Sequence, residues 1–302
     1  MMPRHNPSSR CGAIHKVLAS ALCREARTFL LLVALAAPLC AAAQRPVMEC
    51  MGDWLTAEQP LGSIQGSMQG MAFCGRYAVT LRHGGQCLIF DLRKQRCVAA
   101  YFLEGNTTHC NNASFSHTYL DRRDPFPLLY ISSCYGDKAC LVTRLTLTGS
   151  QIVQRIYFDS PAFPVAQDWC LDAGKGFLYA FGGRMGGTMY LKKFRLPALD
   201  RGEVHLTEED VLQTIPVTCV KVAQGSKVKN GRAYLPDGNE SGHYWLHILD
   251  LASGRELRTI DLNSIDMEPE GVEVRGCWAY LSFHSPDPAQ NKICRFPIMR
   301  SK

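Results

Sequence analysis

Five short polar clusters recur along the 302-residue chain, each placed at the start of, or just ahead of, an apolar run. They are Gln69-Gly70, His109 with Asn111 and Asn112, Gln167-Asp168-Trp169, Gln224-Gly225, and Glu268 with Glu270-Gly271. Amides, carboxylates, an imidazole and an indole gathered in one place suit a sugar or other polyhydroxyl ligand. The amides and acids exchange hydrogen bonds with hydroxyls, and the indole offers a stacking face. The candidate ligand ring is therefore Gln69, His109, Asn111, Asp168, Trp169, Gln224 and Glu270. A plainer reading has the same polar groups bonding loop backbone and the glycines serving close packing.

Catalytic chemistry is also open to these residues. Without a metal, Asp168, Glu268, Glu270, His109 and His284 are the available acids and bases. Nucleophilic catalysis has less support, because no Gly-x-Ser-x-Gly occurs. Residues 182–187 (GGRMGG) lack the lysine and following helix of a phosphate loop and read as a hairpin turn.

Such a ring needs a fold that repeats. The clusters open similar units at 68–82, 111–134, 167–183, 224–238 and 270–284. Their spacing of roughly 40 to 60 residues is that of four-stranded propeller blades. The expected fold is all-β, a five-bladed β-propeller, with six blades or an immunoglobulin-like sandwich as alternatives. Strand runs are expected at 70–74, 77–82, 87–92 and 97–103 in blade one, and at 113–116, 128–133, 140–147 and 152–158 in blade two. Blade three begins at 169–172, 176–181 and 189–196, then departs from the pattern over 200–213, where Thr207 before Glu208 and Glu209 reads as a short helix start. Blade four follows at 226–228, 232–235, 244–251 and 256–262. Blade five has only 272–274, 278–283 and 292–298, so a strand from residues 45–55 is expected to complete it and close the ring.

Two resemblances attach to these motifs. QGMAF, EPEGVEV and His109-Cys-Asn111 resemble motifs of secreted and phage-associated propellers of the helveticin and teichoic-acid-associated type. That resemblance implies a secreted propeller that engages cell-surface glycans. Glu270, Asn111 and Asp168 are similar to the Glu, Asn and Asp that hold the metal of lactonase-type propellers, which implies a calcium-dependent hydrolase. That family has six blades, and the surrounding motifs of this chain do not match it.

Residues 28–40 (TFLLLVALAAPLC) form an apolar stretch too short to span a bilayer, preceded by basic residues and followed by Ala41-Ala42-Ala43. This describes a secretory signal peptide over residues 1–43, cleaved between Ala43 and Gln44, with one propeller domain over 44–302. Cys40 invites a lipoprotein reading, but Pro38-Leu39 lacks the small residue that lipid transfer prefers. Arg4, Arg10, Lys16, Arg24, Arg27 and Glu25 leave with the leader, carrying a net +4 out of the formal +6. The balanced remainder offers no electrostatic footprint for nucleic acid, and no second apolar membrane segment follows. The expected location is secreted or periplasmic, as a monomer.

The chain has 14 cysteines, of which Cys11, Cys23 and Cys40 belong to the leader. Export makes disulfides the default reading of the rest. Cys134 and Cys140 flank a turn-like segment and form the nominated pair. No Cys/His spacing of the zinc type appears, so neither a structural metal nor a cofactor is expected outside the calcium alternative. The favoured function is non-catalytic recognition of a glycan or cell-surface partner protein at the channel mouth. The alternatives are the calcium-dependent hydrolase or lactonase, and a scaffold acting through rim loops 121–124 and 200–213.

Overall fold

The computed structural model describes residues 46–51, 66–106, 109–134, 138–161, 163–164, 166–184, 187–200, 202–239 and 242–298. The signal peptide expected at residues 1–43 lies outside them. The chain forms a five-bladed β-propeller. A two-residue strand, β1 (Glu49–Cys50), precedes the first blade, which is β2 (Met68–Cys74), β3 (Tyr77–Arg82), β4 (Gln86–Asp91) and β5 (Arg96–Phe102). Blade two is β6 (Cys110–Phe115), β7 (Leu129–Ser133), β8 (Cys140–Leu145) and β9 (Ser150–Phe158). Blade three contains β10 (Ala166–Asp172), β11 (Phe177–Gly183) and β12 (Met189–Arg195).

The irregular stretch after β12 does two jobs. First, β13 (Glu203–Leu206) pairs in parallel with β9 and adds a fifth strand to blade two. A 3-10 helix, Glu208–Asp210, follows, capped by Thr207, whose hydroxyl accepts from the Glu209 amide and whose own amide donates to Asp210. Then β14 (Gln213–Val217) returns to pair with β12 as the outer strand of blade three. The helix start was legible; the two strands on either side of it were not expected.

Blade four is β15 (Lys227–Lys229), β16 (Arg232–Asp237), β17 (Trp245–Asp250) and β18 (Glu256–Asp261). Blade five is β19 (Glu268–Arg275), β20 (Trp278–His284) and β21 (Lys292–Pro297), completed by β1, which pairs antiparallel with β21. The N-terminal closure expected from the sequence is therefore present.

Strands form here because aromatic and aliphatic residues can be buried on both faces of each blade's interior. The apolar residues gather in the spaces between blades. Leu81 and Ile89 of blade one meet Leu129 and Leu141 of blade two, and Phe181 and Leu191 of blade three meet Leu235 and Leu249 of blade four. Ile293 of blade five packs against Met71 and Phe90 of blade one, so the ring closes through hydrophobic contact as well as pairing.

The five first strands crowd the axis. A Cβ built on Gly70 would lie 2.8 Å from the carbonyl carbon of Asn112, and one on Gly271 would lie 3.0 Å from the Met71 amide nitrogen. Only glycine allows those backbones to approach so closely.

The seam is fixed covalently by the disulfide Cys50–Cys294, which joins directly paired residues of β1 and β21 across 244 positions of sequence. This differs from the nominated pair, since Cys134 and Cys140 are both free thiols. Their side chains serve different environments. Cys140 packs with Tyr130 and Trp169 between blades two and three, whereas Cys134 feels the charges of Asp168 and Glu270 near the axis. Loop-closure entropy for so long a loop is worth up to about 5 kcal/mol. Cys50→Ser should lower the oxidised protein's melting temperature by about 10 °C. Melting together with the wild type would show that pairing and packing alone hold the seam.

Candidate functional site

The first strands run in the same direction, so their starting residues meet at one mouth of the channel. Gln69, Asn111, Asp168, Gln224 and Glu270 are all buried there, and four of them are tied in pairs across blades. The Gln69 amide donates to Glu270 at 3.1 Å, joining blades one and five. The Asn111 amide donates to Asp168 at 2.6 Å, joining blades two and three. Gln224 donates to Glu268 and, at 2.7 Å, to the Gly238 carbonyl. At the rim His109 faces exposed His83, with their Nδ1 atoms 2.7 Å apart.

Trp169 behaves differently. Its neighbour Asp168 points to the axis, and strand alternation turns the indole the other way. There it is fully buried with Phe194, Leu128 and Ala180 between blades two and three. It presents no face on which a sugar could stack. Its backbone carbonyl instead accepts from the Asn112 amide at 3.0 Å, and the same amide donates to the Ser226 carbonyl at 2.8 Å. Asn112 thus crosses the channel below the polar ring.

The electrostatics of this mouth follow from burial. Burial pushes the Asp168 carboxyl up to about 7, against hydrogen bonds from Asn111 and the Gly225 amide that favour its charge. Burial, followed by repulsion from Glu268, raises Glu270 well above the carboxylate range; Gln69 opposes the shift and Asp168 adds to it. Cys134, which the sequence reading did not place here, rises to about 12 through burial and the two acids. His109 is held down to about 4 by burial and by His83, opposed by Asn111. Three oxygens in the ring have no hydrogen-bond partner: Gln69 Oε1, Asp168 Oδ2 and Glu270 Oε2.

The opposite mouth is open. The far ends of the same five strands surround a cavity of about 580 Å³. Its wall includes Phe73, Phe115, Tyr119, Asp172, Lys227 and Arg275. Lys227 pairs with buried Glu273 at 3.0 Å, joining blades four and five, and Glu273 also accepts from the Phe73 amide of blade one at 3.4 Å. Arg275 donates to the Gly75 carbonyl at 2.8 Å and lies over the Phe73 ring. Tyr119, on the long loop of blade two, is 47% exposed. That loop is pinned by Asp124, which takes a forked pair of hydrogen bonds from Arg144 at 2.9 and 2.5 Å.

None of these residues was singled out as a ligand group from sequence. They lie at the strand ends before each first hairpin, where the residue types do not repeat. Only the position itself, counted along each strand, could have found them.

No family model and no curated protein matches this chain. Solved structures resemble it to different degrees. Glutaminyl cyclase from Myxococcus xanthus is 12% identical with a TM-score of 0.54, covering 85% of this chain and 100% of that one. The Cps50 (Swd1) β-propeller domain from Myceliophteria thermophila is 10% identical with a TM-score of 0.41, covering 77% and 84%. At 12% identity the likeness to the glutaminyl cyclase shows the β-propeller fold alone.

Asp168 gives the polar mouth a measurable signature. Its pKa in the folded chain lies above its unfolded value of 3.8, so its contribution to stability is complete below pH 3.8 and is lost as pH rises towards 7. Asp168→Asn keeps an acceptor for Asn111 and cannot ionise. It should flatten the decline in melting temperature between pH 4 and 7. An unchanged decline would mean that Asp168 is not held neutral in the fold.

Proposed function

We propose that the protein is a secreted, non-catalytic recognition module that binds a glycan in the open mouth of its channel. The observation that carries this reading is the 580 Å³ cavity, to which all five blades contribute. Its volume falls in the usual range for small-ligand sites. Its wall combines an exposed aromatic ring, Tyr119, with hydrogen-bonding groups of both charges, a combination suited to a sugar's apolar face and hydroxyls. The disulfide fits an oxidising compartment, as a secreted protein would meet. Among the described residues, no helix is long and apolar enough to cross a membrane.

This reading moves the ligand seat from the polar ring to the other mouth. The ring residues are buried and largely bonded to one another, whereas the wall of the open cavity includes exposed groups, Tyr119 among them. A glycan array with the purified protein, followed by calorimetry on the hits, tests it. Tyr119→Ala should weaken binding about tenfold, the value of one lost stacking contact. Unchanged affinity in that variant would sink the assignment of this mouth, and an array without hits would leave a partner protein as the ligand class.

The three unpartnered oxygens of the polar ring support a second reading, in which a calcium ion sits there. Gln69 Oε1, Asp168 Oδ2 and Glu270 Oε2 offer the hard oxygen donors that calcium prefers. A micromolar site at millimolar calcium adds about 4 kcal/mol to stability. Calcium should then raise the melting temperature of the wild type and not of Asp168→Asn. An equal shift in both would locate the ion elsewhere.

A further inference from the structure

The seam between blades five and one encloses a cation that no other group of the chain answers. Arg82 is the last residue of β3 and is 1% exposed. Its register partner on β2 is Met68, which packs in the seam with Ala78, Leu88 and Ile293. Paired residues of neighbouring strands share a face, and so do residues 78, 80 and 82 along one strand. The Arg82 and Thr80 side chains are therefore directed towards blade five. The Nε and Nη1 atoms of Arg82 are buried and have no hydrogen-bond partner, and the same holds for the Thr80 hydroxyl. On the blade-five side, Asn291 stands two residues ahead of Ile293. Its Oδ1 accepts the Ser285 amide at 2.7 Å, while its Nδ2 is another buried donor without a partner.

Other buried ions of this protein have a counter-charge: Lys192 meets Glu208, Lys227 meets Glu273, and Asp124 meets Arg144. Arg82 has none. Burial alone acts on its guanidinium, lowering it to about 10, so it still carries a full positive charge at neutral pH. A buried charge is stable in a fold only where something compensates it. A water molecule would accept from the N–H groups and leave the charge as it stands, whereas an anion answers both needs. The enclosure limits the size of that anion, since a side chain 1% exposed offers no opening for a sugar acid or a phosphate ester. A chloride ion needs only about the room of one water molecule, roughly 30 Å³. The next residue, His83, is exposed, so the site lies one residue from the surface.

We propose that the Arg82 guanidinium binds a chloride ion in the seam between blades five and one, and that this ion is the missing counter-charge. The planar guanidinium presents its N–H groups in forks, so two of them can point at one ion. Thr80 on the same face and Asn291 at the head of the strand opposite have donors to spare within the same seam. The ion makes closure of the ring depend on halide. With it bound the seam carries no net charge, and without it a cation is left among Met68, Leu88 and Ile293. The site is separate from the open cavity and does not depend on what that cavity binds.

The test compares the melting temperature of the purified, oxidised protein in sodium chloride and in sodium gluconate at equal ionic strength and pH. Gluconate is too large to enter the seam, so the comparison separates a bound halide from general screening. Chloride at about 100 times its dissociation constant should raise the melting temperature by about 5 °C, with a dependence on concentration that saturates. Bromide should substitute for chloride, and crystals grown in bromide should show an anomalous-scattering peak at hydrogen-bonding distance from the Arg82 guanidinium. Arg82→Gln, which cannot carry the charge, should melt alike in the two salts. Equal melting of the wild type in chloride and gluconate would overturn the proposal and leave Arg82 solvated by water alone. An undiminished chloride gain in Arg82→Gln would overturn it too, by placing the ion elsewhere. Should that variant fail to fold, the bromide peak in the wild type decides the matter, and its absence from Arg82 counts against the site.

Discussion

Close approach of five backbones at the axis is the constraint on which the other features depend. Gly70 and Gly271 remove the side chains that would hold the strands of blades one, two and five apart. Asn112 then fills the remaining space and bonds across it, through one amide, to the Trp169 carbonyl and to the carbonyl and hydroxyl of Ser226. Each such bond contributes about 1 kcal/mol net, but removing the donor would strand buried acceptors at a greater cost. The contact also divides the channel. With Asn112 lying across its middle, the two mouths are separate environments and can differ completely in chemistry.

They do differ. At one end, two carboxyls are buried beside a thiol, and burial drives all three towards their neutral forms. Concentrating ionisable groups where water is scarce costs stability, which a fold carries only where the groups are matched by partners or serve a site. Partners account for part of the set: Asn111 satisfies one oxygen of Asp168, and Gln69 one oxygen of Glu270. The second oxygen of each acid is left over. At the other end the opposed charges of Lys227 and Glu273 form a largely buried pair, while Tyr119 in the same wall is exposed. Its exposed rim, unlike the polar ring, can meet a ligand without first breaking the buried pair.

Much of this architecture was legible in the sequence, for a local reason. Blade one reads correctly to within a residue or two at nearly every strand boundary, because each run is short, β-prone and bounded by turn residues such as Gly75-Arg76. The missing strand of blade five, and its supply from the N-terminus, followed from counting. Failures occurred where the deciding contact is distant. The outer strand of blade three contains Pro216 and follows an excursion, so β14 carries no clean alternating signal. The partner of Cys50 is chosen by the register of β1 on β21, which nothing near either residue reveals. Trp169 was placed correctly on the chain but on the wrong side of its strand. Asp168 and its neighbour cannot both face the axis, and the acid does.

The seam that closes the ring and the cavity assigned to the ligand are also physically coupled. Arg275 lies on the last first-strand of the propeller, yet it bonds the Gly75 carbonyl and covers Phe73, both on the first blade. Glu273 bridges likewise, accepting the Phe73 amide while pairing with Lys227. These contacts cross the junction of blades five and one, the junction that β1 and Cys50–Cys294 hold shut at its outer edge. A propeller whose seam loosened would therefore lose the shape of its open mouth before it lost its blades, because the cavity wall has residues on both sides of the gap. The disulfide thus preserves the shape of the open mouth as well as the fold, both through a single bond.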